Sequence, residues 1–203
     1  MTMLTDQFAA FIYTVATVLL LPVLAIESAC VVIVVFEAGR FTVEAFRRWR
    51  SRSATSVSSL AAMVGDAQAG GLPSAVAALG SSPVVAHVGK ALGAGASLSD
   101  TVLLKILADA EIDTARRLDR TRVLLRMGPV LGLMGTLIPI SPALVGLAKG
   151  DVETLSSNLV VAFSTTVVGL FIAAIAFIVT TIRERNYEQD LADIEFLFEH
   201  AEA

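Results

Sequence analysis

Three threonine hydroxyls lie in otherwise apolar sequence, and they are the groups best suited to handling an ion or a proton there. Thr136 belongs to the uncharged segment 127–148, and Thr165 and Thr166 belong to the uncharged segment 158–182. A threonine in a membrane helix most often donates to a carbonyl of its own helix. Hydroxyls from two neighbouring helices at one depth could instead form a polar ring in a symmetric oligomer. The residues alone leave both readings open, an ion path or helix packing.

Glu27 is the one charged residue of the apolar segment 8–36. An ionised carboxylate deep in a bilayer is costly, so Glu27 must be neutral, paired or close to water. It is either a proton-path residue or a neutral acid bonded within the protein. Cys30, His87 and His200 have no companions at ligand spacing, so the sequence predicts no metal site, no cofactor and no catalytic residue.

Small residues and prolines recur at helical spacing in the two uncharged segments. Lipid tails give membrane helices no hydrophobic reason to associate, so such stripes typically mark close helix contacts. Pro139 has no N–H to donate to the carbonyl of Gly135, which is therefore free for water, a hydroxyl or an ion. The residues assigned to packing and kinks are Gly128, Pro129, Gly132, Gly135, Pro139 and Gly169.

The composition points to an all-α membrane protein. The 203 residues are 55% apolar and 17% charged, and soluble domains have fewer apolar and more charged residues. A bilayer core needs about 20 apolar residues per helix. The segments 11–36, 127–148 and 158–182 each satisfy this, so we expect three transmembrane helices that extend into a small cytoplasmic helical domain.

The lysines and arginines predict the topology in the cell membrane. Twelve of the fifteen lie within 37–126, whereas residues 1–10 have none and the loop 149–157 has one. Because positive charge accumulates on the cytoplasmic side, the N-terminus and the short loop are expected outside. Segment 37–126 and the acidic tail 183–203 are expected in the cytoplasm. With a net charge of −4, nothing suggests a nucleic-acid partner.

The sequence also predicts helices in the more polar segments. Pro73 and Pro83 are each suited to opening a short helix in the stretch 53–98, which is rich in small residues. The charged stretch 99–126 is expected to run directly into the second span. The tail is expected to continue the third helix with one buried stripe, formed by Tyr187, Leu191, Ile194 and Phe198.

Two runs in the membrane segments carry a family resemblance. Residues 126–138 contain Gly128-Pro129 and then Leu-Gly-Leu-Met-Gly-Thr ending at Thr136. Residues 162–170 read Ala-Phe-Ser-Thr-Thr-Val-Val-Gly-Leu, with Thr166 three residues before Gly169. In this order the runs resemble the second-span and third-span signatures of the MotA/TolQ/ExbB proton channel family. Pro139 and Pro142 depart from the family's usual helix, and no charged rotor-contacting loop is identifiable, so a flagellar role is not indicated.

The resemblance implies a homopentamer whose second and third helices line a pore. A single-span ExbD/TolR/MotB-like dimer inside that pore would supply an ionisable Asp, with protons or Na⁺ as the coupled ion. The pore-facing threonines of the family fall on Thr136 and Thr166, with Thr165 adjacent. We therefore expect the pore-forming subunit of an ion-driven motor or stator, not an enzyme. The alternatives are a membrane scaffold without ion conduction and a self-contained channel that uses Glu27.

Overall fold

The computed structural model describes residues 2–51, 63–64, 71–80, 82–93 and 99–201. Every element in these ranges is a helix, so the predicted all-α class is confirmed. Part of the small-residue stretch 53–98 lies outside the described residues. Within the described residues, the helices with defined bounds are α1 (Thr2–Ser51), α2 (Leu72–Ala78), α3 (Pro83–Gly93), α4 (Asp100–Ala148) and α5 (Val152–Ala201).

The helices α1, α4 and α5 are each long and apolar enough to cross a membrane. Helix α4 includes Pro129, Pro139 and Pro142 without a break. Membrane helices tolerate proline because neighbouring helices and hydroxyls can satisfy the carbonyls that it leaves without a donor. The charged stretch is therefore continuous with the second span, as the sequence predicts.

The turn between α4 and α5 is shorter than the predicted loop. The sequence predicts a loop over 149–157, but α5 already begins at Val152. Gly150 adopts a φ of +72°, which a glycine reaches without strain. Asp151 then caps α5, since its Oδ1 accepts the backbone N–H of Thr154 at 3.0 Å. This cap starts the helix six residues before the segment expected to cross the membrane.

One compact unit comprises residues 1–38 and 121–178. Its buried cluster contains Val34 of α1, Leu124 of α4, and Ile172 and Ala176 of α5. The α1 residues Val23, Glu27 and Val34 are buried at intervals of four and seven positions, which places them on one face of the helix. This face turns inward, and most large apolar side chains elsewhere on the segment are exposed.

The second unit comprises residues 39–120 and 179–203 and has a larger apolar core. Proline occupies the first turn of α2 and opens α3, as predicted. The buried stripe of the tail is also present, because Tyr187, Ile194 and Phe198 are buried and Leu191 packs partly against them. The core residues of α2, α3 and α4 are Leu72, Ala75, Val76, Val84, Val85, Val88, Leu92, Leu103, Ile106, Ala110 and Leu118.

Candidate ion path

The α4 and α5 helices approach each other most closely at two glycines. A Cβ atom built on Gly128 would lie 2.5 Å from the carbonyl oxygen of Gly169. A Cβ on Gly169 would lie 2.5 Å from the carbonyl oxygen of Gly128 and 2.9 Å from the Cα of Gly132. No side chain fits at such distances, so the two backbones are in direct contact and only glycine is accommodated.

The next turn of the contact brings a threonine against glycines. A Cβ on Gly135 would lie 2.6 Å from both the Cβ and the Oγ1 of Thr165. A Cβ on Gly132 would lie 3.4 Å from the Cα of Thr166. The structure therefore brings together Gly132 and Gly135 of the second-span signature and Thr165 and Thr166 of the third-span signature.

All three threonine hydroxyls donate to carbonyls of their own helix. Thr136 donates to Leu133 at 2.7 Å and to Gly132 at 3.3 Å. Thr165 and Thr166 both donate to Ala162, at 2.9 Å and 3.4 Å. The hydroxyl protons thus have acceptors, while the lone pairs of each oxygen can still accept a bond.

Burial separates the three threonines. Thr165 is 4% exposed because it is enclosed against Gly135. Thr136 and Thr166 are partly exposed, as are several of their neighbours on α4 and α5. In this arrangement Thr165 fills the helix contact, and Thr136 and Thr166 retain a surface on which another molecule or water can act.

The prolines occupy different environments. Pro139 is fully buried, and its ring nitrogen donates no bond to the Gly135 carbonyl. Pro129 lies on an exposed part of α4. The carbonyl oxygen that Pro139 leaves without a donor therefore belongs to Gly135, the residue that packs against Thr165 in the helix contact.

Fixed charge is missing from the two spans that carry these hydroxyls. Segments 127–148 and 158–182 contain no Asp, Glu, Lys or Arg. Glu27 of α1 is 3% exposed, and its Oε1 has no hydrogen-bond partner. Among the described residues, no group of three or more His, Cys, Asp or Glu side chains is placed to hold a metal ion. The hydroxyl-bearing hairpin can solvate a cation or a proton donor, but it has no carboxylate of its own to carry a proton.

The family model of the MotA/TolQ/ExbB proton channel family matches residues 91–195. The chain belongs to this family. No curated protein and no solved structure matches it. The matched residues include α4, the turn and nearly all of α5, and therefore all of the paired glycines and threonines.

Membership in the MotA/TolQ/ExbB family gives the general character of the protein. It is a multi-pass protein of the cell membrane, and the family consists of proton-channel and transport proteins. The family also implies an oligomeric channel with a single-span partner. Helix α1 up to Ser51, with Glu27, lies outside the matched residues.

Sequence reasoning missed a cluster of buried charges in the second unit. Arg48 pairs with Asp190 and also donates to the carbonyl of Asn186 at 2.9 Å. Arg183 pairs with Glu44 at 3.2 Å, and Tyr187 lies beside Glu44. A signal for it existed, because Glu44 and Arg48 on α1 and Arg183, Tyr187 and Asp190 on α5 recur at spacings of three and four, which place each set on one helix face.

The environment of this cluster shifts two pKa values. Burial raises the pKa of Asp190, against the lowering effect of the Ser82 hydroxyl and the Arg48 guanidinium. Burial, together with the Glu44 carboxylate, raises the pKa of Tyr187 to about 12. At neutral pH Tyr187 is therefore a neutral donor inside a set of paired charges.

Proposed function

We propose that the chain is the pore-forming subunit of an ion-driven membrane motor, in which proton flow is coupled to movement of a single-span partner. The observation that carries the proposal is the sorting of the signature residues on α4 and α5. Glycines 128, 132 and 169 and Thr165 hold the two helices together, which leaves Thr136 and Thr166 partly exposed. These two hydroxyls are proposed to line the ion path.

The chemistry of the hairpin explains why a partner is needed. The spans that would line the pore contain no ionisable group, so the proton must be carried by an acid from another chain. An Asp on a single-span helix would lose its proton beside Thr136 and Thr166 and regain it on the other side. Hydroxyls can donate to that carboxylate while it is ionised, which reduces the cost of charge inside the membrane.

We propose a ring of five copies with segments 37–126 and 183–203 on the cytoplasmic side. The distribution of Lys and Arg supports this orientation. Helix α1 is proposed to be outermost, because it exposes bulky apolar side chains such as Phe11, Leu21 and Phe36. A five-fold ring lined by α4 and α5 is the expected result of electron microscopy, and a monomer or a ring lined by α1 would contradict it.

The test compares proton uptake by vesicles that contain the subunit and the single-span protein that co-purifies with it. Thr136→Val/Thr166→Val keeps the branched shape and removes both hydroxyls. We expect uptake to fall about a hundredfold, while the size of the oligomer in detergent is unchanged. Hydrogen bonds in membrane proteins average only about 0.6 kcal/mol, so assembly should survive.

Thr14→Val/Thr17→Val is the matched control. These two α1 threonines also donate to carbonyls of their own helix, at 2.9 Å and 2.8 Å, and are exposed. The control should take up protons at the wild-type rate. Unaltered uptake in Thr136→Val/Thr166→Val would remove both residues from the ion path and favour a membrane scaffold.

A further inference from the structure

Glu27 is a buried acid that the proposed path does not use. It lies on the inward face of α1, is 3% exposed, and has an Oε1 atom without a hydrogen-bond partner. A buried polar atom left unpaired is destabilising. No hydrogen bond therefore fixes the protonation state of this oxygen.

The depth of Glu27 follows from the helix contacts. The distribution of Lys and Arg predicts that α1 and α5 run in the same direction, from the outside to the cytoplasm. Val34 packs in one cluster with Ile172. Glu27 lies seven residues before Val34, and Thr165 lies seven residues before Ile172. Both steps span about 10 Å of helix, so Glu27 and Thr165 lie at the same depth.

The groups around Glu27 favour its neutral form. The α4 and α5 spans contribute no charged side chain at this depth, and Cys30 is the neighbouring titratable group on α1. Segments 127–148 and 158–182 therefore provide no cation to pair with an ionised Glu27. A neutral carboxyl carries an O–H donor, and Thr165 offers a hydroxyl oxygen whose own proton is directed to Ala162.

In the direction of Val34 along α1, the neighbouring side chains are apolar. Val34, Leu124, Ile172 and Ala176 form a dry cluster in which no residue is more than 4% exposed. Toward α4, in contrast, Thr165 contacts Gly135, whose carbonyl has no partner from Pro139. Polar atoms of α4 and α5 therefore lie at the depth of Glu27, whereas the side chains around Val34 are apolar.

We propose that Glu27 is a proton-binding group of the subunit itself, which exchanges its proton with the ion path through the Thr165 hydroxyl. In this step the O–H bond of Glu27 breaks and the Thr165 oxygen accepts the proton. Thr165 passes its own hydroxyl proton to the oxygen of the partly exposed Thr166, which donates to the same Ala162 carbonyl, and Thr166 releases its proton to water in the path. Both hydroxyls are thereby regenerated, and Glu27 is a carboxylate until a proton returns. The inference rests on the proposed function, because Thr136 and Thr166 define the path that Glu27 would serve.

The first measurement is chemical and needs no partner. Dicyclohexylcarbodiimide is an apolar reagent to which a protonated carboxyl adds, and the adduct rearranges to a stable acylurea on the same residue. We expect mass spectrometry of the purified, full-length oligomer to find this adduct on Glu27. Labelling should be slower in Thr165→Val, because protons then return to Glu27 more slowly. It should be unchanged in Ser28→Ala, which alters an exposed hydroxyl one residue from Glu27.

The second measurement is proton uptake by vesicles that contain the subunit and its single-span partner. Glu27→Gln replaces the acid by a neutral amide of similar shape, so the oligomer should persist. We expect a loss of uptake of about a hundredfold, as for removal of a positioned proton-transfer group, with Ser28→Ala at the wild-type rate. Wild-type uptake in Glu27→Gln, or an unlabelled Glu27, overturns the proposal.

The two measurements separate this inference from the proposed function. If wild-type vesicles take up no protons, the proposed function has failed, and the labelling alone decides on Glu27. Adduct formation that depends on Thr165 then supports a proton-binding Glu27. Adduct formation at equal rates in the wild type and Thr165→Val overturns the exchange through Thr165.

Discussion

The two units of the chain bury their polar atoms in different ways. Between α4 and α5 in the first unit, the contact consists of backbone and small residues, and each threonine hydroxyl is bonded within its own helix. In the second unit, Arg48, Asp190, Glu44 and Arg183 pair between helices with little exposure to water. In the first unit the hydroxyl oxygens can still accept a hydrogen bond from another molecule. In the second unit the charged side chains are paired with opposite charges of the same unit. This difference supports the proposal that the ion path lies in the first unit.

The largest expected effect comes from breaking one buried ion pair. Arg48→Met leaves Asp190 buried without its main counter-charge, and removal of one partner of such a pair costs about 3–5 kcal/mol. Unfolding of the full chain by denaturant in detergent measures the loss. The double variant Arg48→Met/Asp190→Leu should recover most of it, since no buried charge is then unpaired. A single variant as stable as the wild type would show that the pair contributes nothing.

A smaller loss is expected from Gly169→Ala in the first unit. The added methyl would lie 2.5 Å from the carbonyl oxygen of Gly128, so the helices must separate. Overpacking of this kind costs about 1–3 kcal/mol. Gly39→Ala is the matched control, because a Cβ there meets nothing within 4 Å. The control should be neutral or slightly stabilising. Equal stabilities of the two variants would show that the α4 and α5 backbones are further apart than described.

The smallest effect concerns Tyr187 and appears only in alkali. Its pKa is raised from 10.0 to about 12, so its contribution to stability is complete below pH 10 and is lost as the pH rises toward 12. Tyr13 is the other tyrosine. In Tyr13→Phe, tyrosinate absorbance should therefore rise with a midpoint near pH 12. A midpoint near 10 would mean that the hydroxyl is not enclosed among the ion pairs.

Much of the fold can be predicted from the sequence, and particular residues explain why. Long apolar segments predict the spans. Pro73 and Pro83 mark the starts of α2 and α3. The buried stripe of the tail follows from the three-to-four spacing of Tyr187, Leu191, Ile194 and Phe198. Hydropathy does not show that α5 begins at Val152, within the segment 149–157 predicted between the spans. The cap by Asp151 is a side-chain bond that hydropathy does not report.

The candidate site could be predicted from the sequence only in part. Adjacent positions such as Thr165 and Thr166 point about 100° apart on a helix, and spacing alone does not tell which one faces α4. That choice depends on Gly135, thirty residues earlier, whose missing side chain admits Thr165. The pairing of Arg48 with Asp190 likewise joins residues 142 positions apart, beyond the reach of any local pattern.

The most direct test of the account asks which threonines meet water in the assembled oligomer. Cys30 is the single cysteine, so Cys30→Ala provides a background for Thr136→Cys, Thr165→Cys, Thr166→Cys and, facing lipid, Thr14→Cys. The measurement is the rate at which each thiol reacts with a charged methanethiosulfonate reagent in vesicles without the partner. We predict fast reaction for Thr136→Cys and Thr166→Cys, and little for Thr165→Cys and Thr14→Cys. Unreactive thiols at positions 136 and 166 would contradict it, because these residues would then line no aqueous path.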